Sequence, residues 1–125
     1  MFKDSHAFSG FSVSDLAAAK EFYSKLGVDV GQDEMGMKLN VAGGMPVFVY
    51  EKKDHVPATF TILNFPVDDI DVAVDGLVAA GVALEHYEDA HQDEKGVARG
   101  KAAGYGPDIA WFKDPAGNIL SVLCS

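Results

Sequence analysis

The chain has 125 residues, 48% hydrophobic and 23% charged, enough to bury a core and ordinary for one globular domain. Its formal charge of −9 would repel nucleic acid and anionic membranes, so the expected partner is a small molecule. The lone Cys124 excludes an internal disulfide and a cysteine metal cluster, no run is long and apolar enough for a membrane helix, and the first residues have no apolar signal core, so a soluble cytoplasmic protein is expected.

The first predicted element is a strand over 8–13, with Phe11 and Val13 on one face and Phe8, Gly10 and Ser12 on the other. Ser14 or Asp15 then caps a helix whose apolar stripe is Leu16, Ala19, Phe22, Tyr23 and Leu26, and Gly27 stops it. Strands follow over 28–32, 37–41 and 46–51, with Gly43 and Gly44 turning between the last two. The charged stretch 51–57 reads as a linker, and its His55, like His6 near the terminus, is expected to be solvated.

The same grammar then returns. A strand over 60–67 leads to a cap at Asp68 or Asp69, then to a helix with the stripe Ile70, Ala73, Val74, Leu77 and Val78, stopped by Gly81. Strands are predicted over 82–87, 109–113 and 118–123, with Asp114-Pro115-Ala116-Gly117 turning between the last two. A shift of 54 overlays Phe11 on Phe65, Val13 on Val67, Asp15 on Asp69 and Gly27 on Gly81; a shift of 73 overlays Gly44 on Gly117 and Val49 on Val122. Each half, about 6–51 and 58–125, therefore reads as a β-α-β-β-β unit, and the surplus length of the second falls in one loop over 88–107. A four-stranded sheet with its helix on one face leaves the other face bare, and two bare faces can form a shared ligand cup.

Three stretches carry a family likeness: Val13 to Tyr23 with Leu26-Gly27; Asn64 to Asp69 with Ala80-Gly81-Val82; and Trp111 to Leu120, the most specific. The chain resembles the vicinal oxygen chelate superfamily of glyoxalases, bleomycin resistance proteins and dioxygenases. The resemblance implies an α+β fold in which two tandem βαβββ units form a curved mixed sheet around a shared cup, and it implies a homodimer. In metal-dependent members, His or Glu side chains from the first and last strand of each unit hold one divalent ion. The corresponding positions here are Phe8, Phe48, Ile62 and Ser121, three hydrocarbon side chains and a neutral hydroxyl, so no metal and no cofactor is expected.

The expected function is a domain without the usual metal ligands that binds a small hydrophobic or aromatic molecule. The alternative is an enzyme of this superfamily, a lyase, isomerase or dioxygenase, with an unrecognised metal site or a metal-free mechanism. The expected ligand-binding residues are Phe8, Phe48, Tyr50, Ile62, Asn64, Trp111 and Ser121, an apolar lining with a few amide and hydroxyl groups. Asn64, an amide at a strand centre, needs hydrogen-bond partners. Whether Trp111 or Phe112 faces the helix is left open by alternation. For metal-free catalysis the candidates are His91 and Tyr50; His86 and His91 flank acidic residues in the long loop. Cys124 has no basic neighbour in sequence and reads as inert, and no nucleophile stands in a recognised setting.

Overall fold

A computed structural model describes residues 1–125. The chain divides into two compact units, Met1–Pro57 and Ala58–Ser125.

In the first unit, strand β1 spans Gly10–Val13, helix α1 Leu16–Lys25, and strands β2, β3 and β4 span Asp29–Gln32, Met37–Asn40 and Val47–Glu51. The sheet order is β1-β4-β3-β2, with β1 parallel to β4 and the other pairs antiparallel. Alternation sends Val13, Met37, Leu39, Val47 and Val49 to the buried face, under Ala19, Phe22 and Tyr23 of α1. Phe11 points the same way, its ring 6.2 Å from that of Tyr23. Asp15 is the cap: its carboxylate accepts from the Ala18 N–H, satisfying one of the orphan donors of the first turn. Gly27 leaves α1 at φ 87, a backbone region that costs glycine little.

The second unit repeats this with strand β5 over Thr61–Pro66 and helix α2 over Ile70–Ala79, capped by Asp69 and left through Gly81 at φ 83. It ends in strands β7 (Asp108–Lys113) and β8 (Ile119–Cys124). The Asp114 side chain builds the hairpin between them, accepting from the Ala116 and Asn118 backbone N–H groups and from Asn118 Nδ2. The equivalence of the two units extends to strand register. Phe11 pairs with Val49 as Phe65 pairs with Val122, and Gly10 with Phe48 as Asn64 with Ser121. Phe112 lies on the buried face with Ala110, Leu120 and Val122, which leaves Trp111 on the face away from α2.

Three details differ from the sequence expectations. First, β1 starts at Gly10, so Phe8 precedes the strand and its position is not set by alternation. Second, the strand expected over 82–87 reduces to a bridge from Leu84 to Phe112 and a hydrogen bond from the Glu85 N–H to the Trp111 carbonyl. The chain then leaves the sheet and returns as strand β6, Ala98–Arg99, against the other end of β7, giving the order β5-β8-β7-β6. Third, the 88–107 stretch is not a plain loop. It holds a 3-10 turn over Glu88–Ala90, then β6, then the short helix α3 over Gly100–Ala103. Local polar contacts supply this order: Gln92 Nε2 donates to the carbonyls of Glu85 and Gly96, and its Oε1 accepts from the Tyr87 N–H.

Candidate functional site

Each sheet has one face covered by its helix, so the chemistry of interest lies on the other. In the first unit that face carries Phe48 and Tyr50, two residues apart on β4, with rings stacked 5.7 Å apart and inclined by 19°. Phe48 continues into a cavity of about 460 Å³ lined by Phe8, Asp33, Met35, Lys38, Met45, Pro46 and Phe48. The lining is carbon and sulfur apart from Asp33 and Lys38, which stand 3.8 Å apart as an ion pair. Phe8, Met35 and Met45 are well exposed for apolar side chains, so an occupant that covers them removes hydrocarbon from water.

Behind Tyr50, its register partner Ser12 makes a 2.6 Å hydrogen bond between its Oγ and His55 Nδ1. The expectation of a solvated His55 is thus corrected: it is half-buried, and it fastens the 52–57 segment back onto β1.

In the second unit the uncovered face brings together Asn64, Ser121 and Trp111 in adjacent positions on β5, β8 and β7. Ser121 is completely buried, and its hydroxyl donates to Asn64 Oδ1 at 2.5 Å. The partner that Asn64 requires is therefore its own neighbour. Trp111 meets Tyr87 edge-on, ring centroids 5.6 Å apart. Burial, and then the nearby Glu85 carboxylate, push the Tyr87 phenol above its usual pKa, so it stays a neutral donor. Ile62 is the unpaired residue of a bulge between Thr61 and Leu63, and is half-buried.

The two catalytic candidates lie apart from any assembled machinery. Tyr50 is stacked on Phe48 and partly exposed; His91 is exposed, in a left-handed conformation (φ 50), and makes no side-chain hydrogen bond or ion pair. His86 lies on the α2 side of the second unit, beside a groove of about 480 Å³ with Asp75, Glu94 and Lys95. Nearby, charges join α2 to the inserted segment. Arg99 donates two hydrogen bonds to Asp71 and one to Asp93, and Lys95 pairs with Asp71 and Asp75. Arg99 and Lys95 hold the Asp71 carboxyl well below the usual carboxylate range. Burial alone would raise Asp93, but the Val97 N–H and Arg99 outweigh it and keep it low. Cys124 does have a basic neighbour, Lys101, whose Nζ is 3.5 Å from its sulfur, while the thiol also donates to the Asp68 carbonyl. The 23 residues that separate Lys101 from Cys124 hid this contact from sequence reading.

The positions that hold a divalent ion in metal-dependent relatives do not fit one here. Phe8, Phe48 and Ile62 offer no donor atom, and the one oxygen, Ser121 Oγ, is buried and engaged with Asn64. No group of three or more His, Cys, Asp or Glu side chains within either unit is placed to hold a metal ion.

Comparison with known proteins agrees with this architecture. The chain matches the model of the Glyoxalase/Bleomycin resistance protein/Dioxygenase superfamily over residues 6–122. Among curated proteins nothing matches. Similar solved structures include the fosfomycin resistance protein FosX from Listeria monocytogenes, at 14% identity and a TM-score of 0.68, covering 95% of this chain and 91% of that one. The antibiotic binding protein TnmS3 from Streptomyces sp. CB03234 is 23% identical, with a TM-score of 0.64 and 94% of each chain covered. A lactoylglutathione lyase from Agrobacterium tumefaciens is 19% identical, with a TM-score of 0.65, covering 97% of this chain and 94% of that one. At these identities the likeness establishes the fold, while the family match takes in almost the whole chain. The repeated βαβββ units and the match over 6–122 make this chain a member of the glyoxalase, bleomycin resistance protein and dioxygenase superfamily.

Proposed function

We propose that this protein is a metal-free binding protein that holds a small hydrophobic or aromatic molecule on the uncovered faces of its sheets. The observation that carries this reading is the cavity of about 460 Å³ beside Phe8, Met35, Met45 and Phe48. Its volume suits a small organic ligand, and its lining offers dispersion and ring contacts with little hydrogen-bonding cost. TnmS3, an antibiotic binding protein of the same fold, is a precedent for small-molecule binding. The residues at the family's metal positions favour the same reading. A divalent ion set beside phenylalanine and isoleucine side chains would lose hydration without gaining ligands.

The test is a thermal-shift comparison on untagged protein. An aromatic probe such as 2-ethylnaphthalene is expected to raise the melting temperature, because a ligand at about 100 times its Kd adds about 2.7 kcal/mol to the folded state. Phe48→Ala should reduce that shift, and nickel, zinc, manganese and chelators should produce none. A stoichiometric metal in elemental analysis, lost on mutating residues of the uncovered faces, would overturn the reading. We also propose that the protein acts in the cytoplasm, which cell fractionation would check, and as a homodimer.

A further inference from the structure

The second unit's uncovered face has a polarity that its composition alone does not reveal. A side-chain amide has an acceptor end and a donor end, and which end faces a ligand is ordinarily free to change. At Asn64 it is fixed. Ser121, its partner across β5 and β8, is wholly buried and must place its hydroxyl proton on an acceptor. Asn64 Oδ1 takes that proton at 2.5 Å. Reversing the amide would let its N–H donate to the Ser121 oxygen but leave the buried hydroxyl proton without that acceptor, and an unsatisfied buried donor costs more than the bond itself gains. The amide is planar, so with its oxygen held by Ser121 the –NH2 group is turned outward, and it makes no hydrogen bond within the protein.

The surroundings decide what such a donor can select. Trp111 pairs with Ser121 in register and stands edge-on to Tyr87, which gives an aromatic wall. The charged residues beside this wall, Lys113 and Glu85, are paired with each other at 3.4 Å. The face therefore offers neutral donors and flat apolar surface.

We propose that Asn64, held in orientation by Ser121, selects ligands that carry an uncharged acceptor oxygen, such as a ketone, quinone or amide carbonyl, on a flat apolar body. Asn64 is the specificity residue of this face and Ser121 the positioning residue behind it. The inference rests on the binding reading above and adds the chemical class of the ligand.

The experiment compares 2-acetylnaphthalene with 2-ethylnaphthalene, two probes of nearly equal size that differ in the carbonyl oxygen, by equilibrium dialysis against the full chain. The wild-type protein is expected to bind the ketone about 3- to 10-fold more tightly, the range that one neutral hydrogen bond supplies. Asn64→Leu should erase that preference, read as the ratio of the two affinities. Asn64→Asp, which presents acceptors only, should reverse it. Ser121→Ala, which frees the amide to turn, should shrink that ratio toward one, and circular dichroism of each variant checks that it is folded. Equal affinity of wild type for the two probes, or a preference that survives in folded Asn64→Leu, would overturn the inference and leave the binding reading standing. Failure of both probes to bind the wild-type protein would overturn the binding reading itself.

Discussion

Single side chains decide the shape of the first unit's cavity, and the tightest constraint on them comes from a residue with no side chain. Gly36, at the turn entering β3, lies so close to β4 that an added Cβ would sit 2.5 Å from the Val49 carbonyl oxygen and 3.2 Å from the Phe48 ring. The main chain cannot yield without disturbing the β3–β4 pairing, and the Phe48 ring can yield only by leaving its place in the cavity wall. Gly36→Ala is therefore expected to cost about 1–3 kcal/mol in urea denaturation and to weaken binding of 2-ethylnaphthalene. Gly44→Ala, where an added Cβ meets nothing within 4 Å, is the control and should do neither. At this scale the sequence was only partly legible. The alternation of Phe48 and Tyr50 placed both on the uncovered face, and Asn64 stood out as an amide in need of a partner. The Ser12–His55 bond joins residues 43 apart, and the Ser121–Asn64 bond residues 57 apart. No local pattern encodes such pairs; they exist only once the strands have met.

Among the elements, the two helices and the outer pairs of strands followed from periodicity, caps and glycine stops, with ends shifted by a residue or so. The second unit's edge did not. Residues 82–87 have the composition of a strand, but the edge of β7 is shared between Leu84 and the later Ala98–Arg99, and composition cannot say where a chain will step out of a sheet. What returns it is the charge cluster of Arg99, Asp71, Asp93 and Lys95. Arg99→Met should leave the β5–β8 ladder intact and raise amide hydrogen exchange selectively over residues 93–99. The cluster also sets a pH dependence. The folded-state pKa of Asp71 is depressed below its unfolded value, so its contribution is fully present above the unfolded pKa of about 3.9. It is lost progressively as the pH falls below that toward the folded value. Acid titration followed by exchange over 93–99 should show that segment loosening below about pH 4, and Arg99→Met should remove most of the effect.

For the molecule as a whole, the repeat was the most legible feature, because it is written several times over, in the strand, the cap, the apolar stripe and the stop. Its register survived into the structure, with Phe11 against Val49 matched by Phe65 against Val122. Assembly belongs to this scale. A closed twofold dimer is the commonest soluble arrangement, and the net charge of −9 disfavours open-ended association. Light scattering at micromolar concentration is expected to give twice the chain mass of 13.3 kDa, and a monomer alone would refute the proposed homodimer.

The shared edge beside β7 has a consequence for how the protein behaves in a crowd. A foreign strand that adds to a sheet needs an unbroken row of free backbone donors and acceptors, and this is how edge strands seed aggregates. Here the outermost row is cut in two. One piece is the bridge at Leu84, the other the two residues of β6, and the chain between them departs into its own turn. An incoming strand finds a short rung, a detour and another short rung. The insertion that interrupts the repeat thereby protects this flank of the second unit from indiscriminate strand addition.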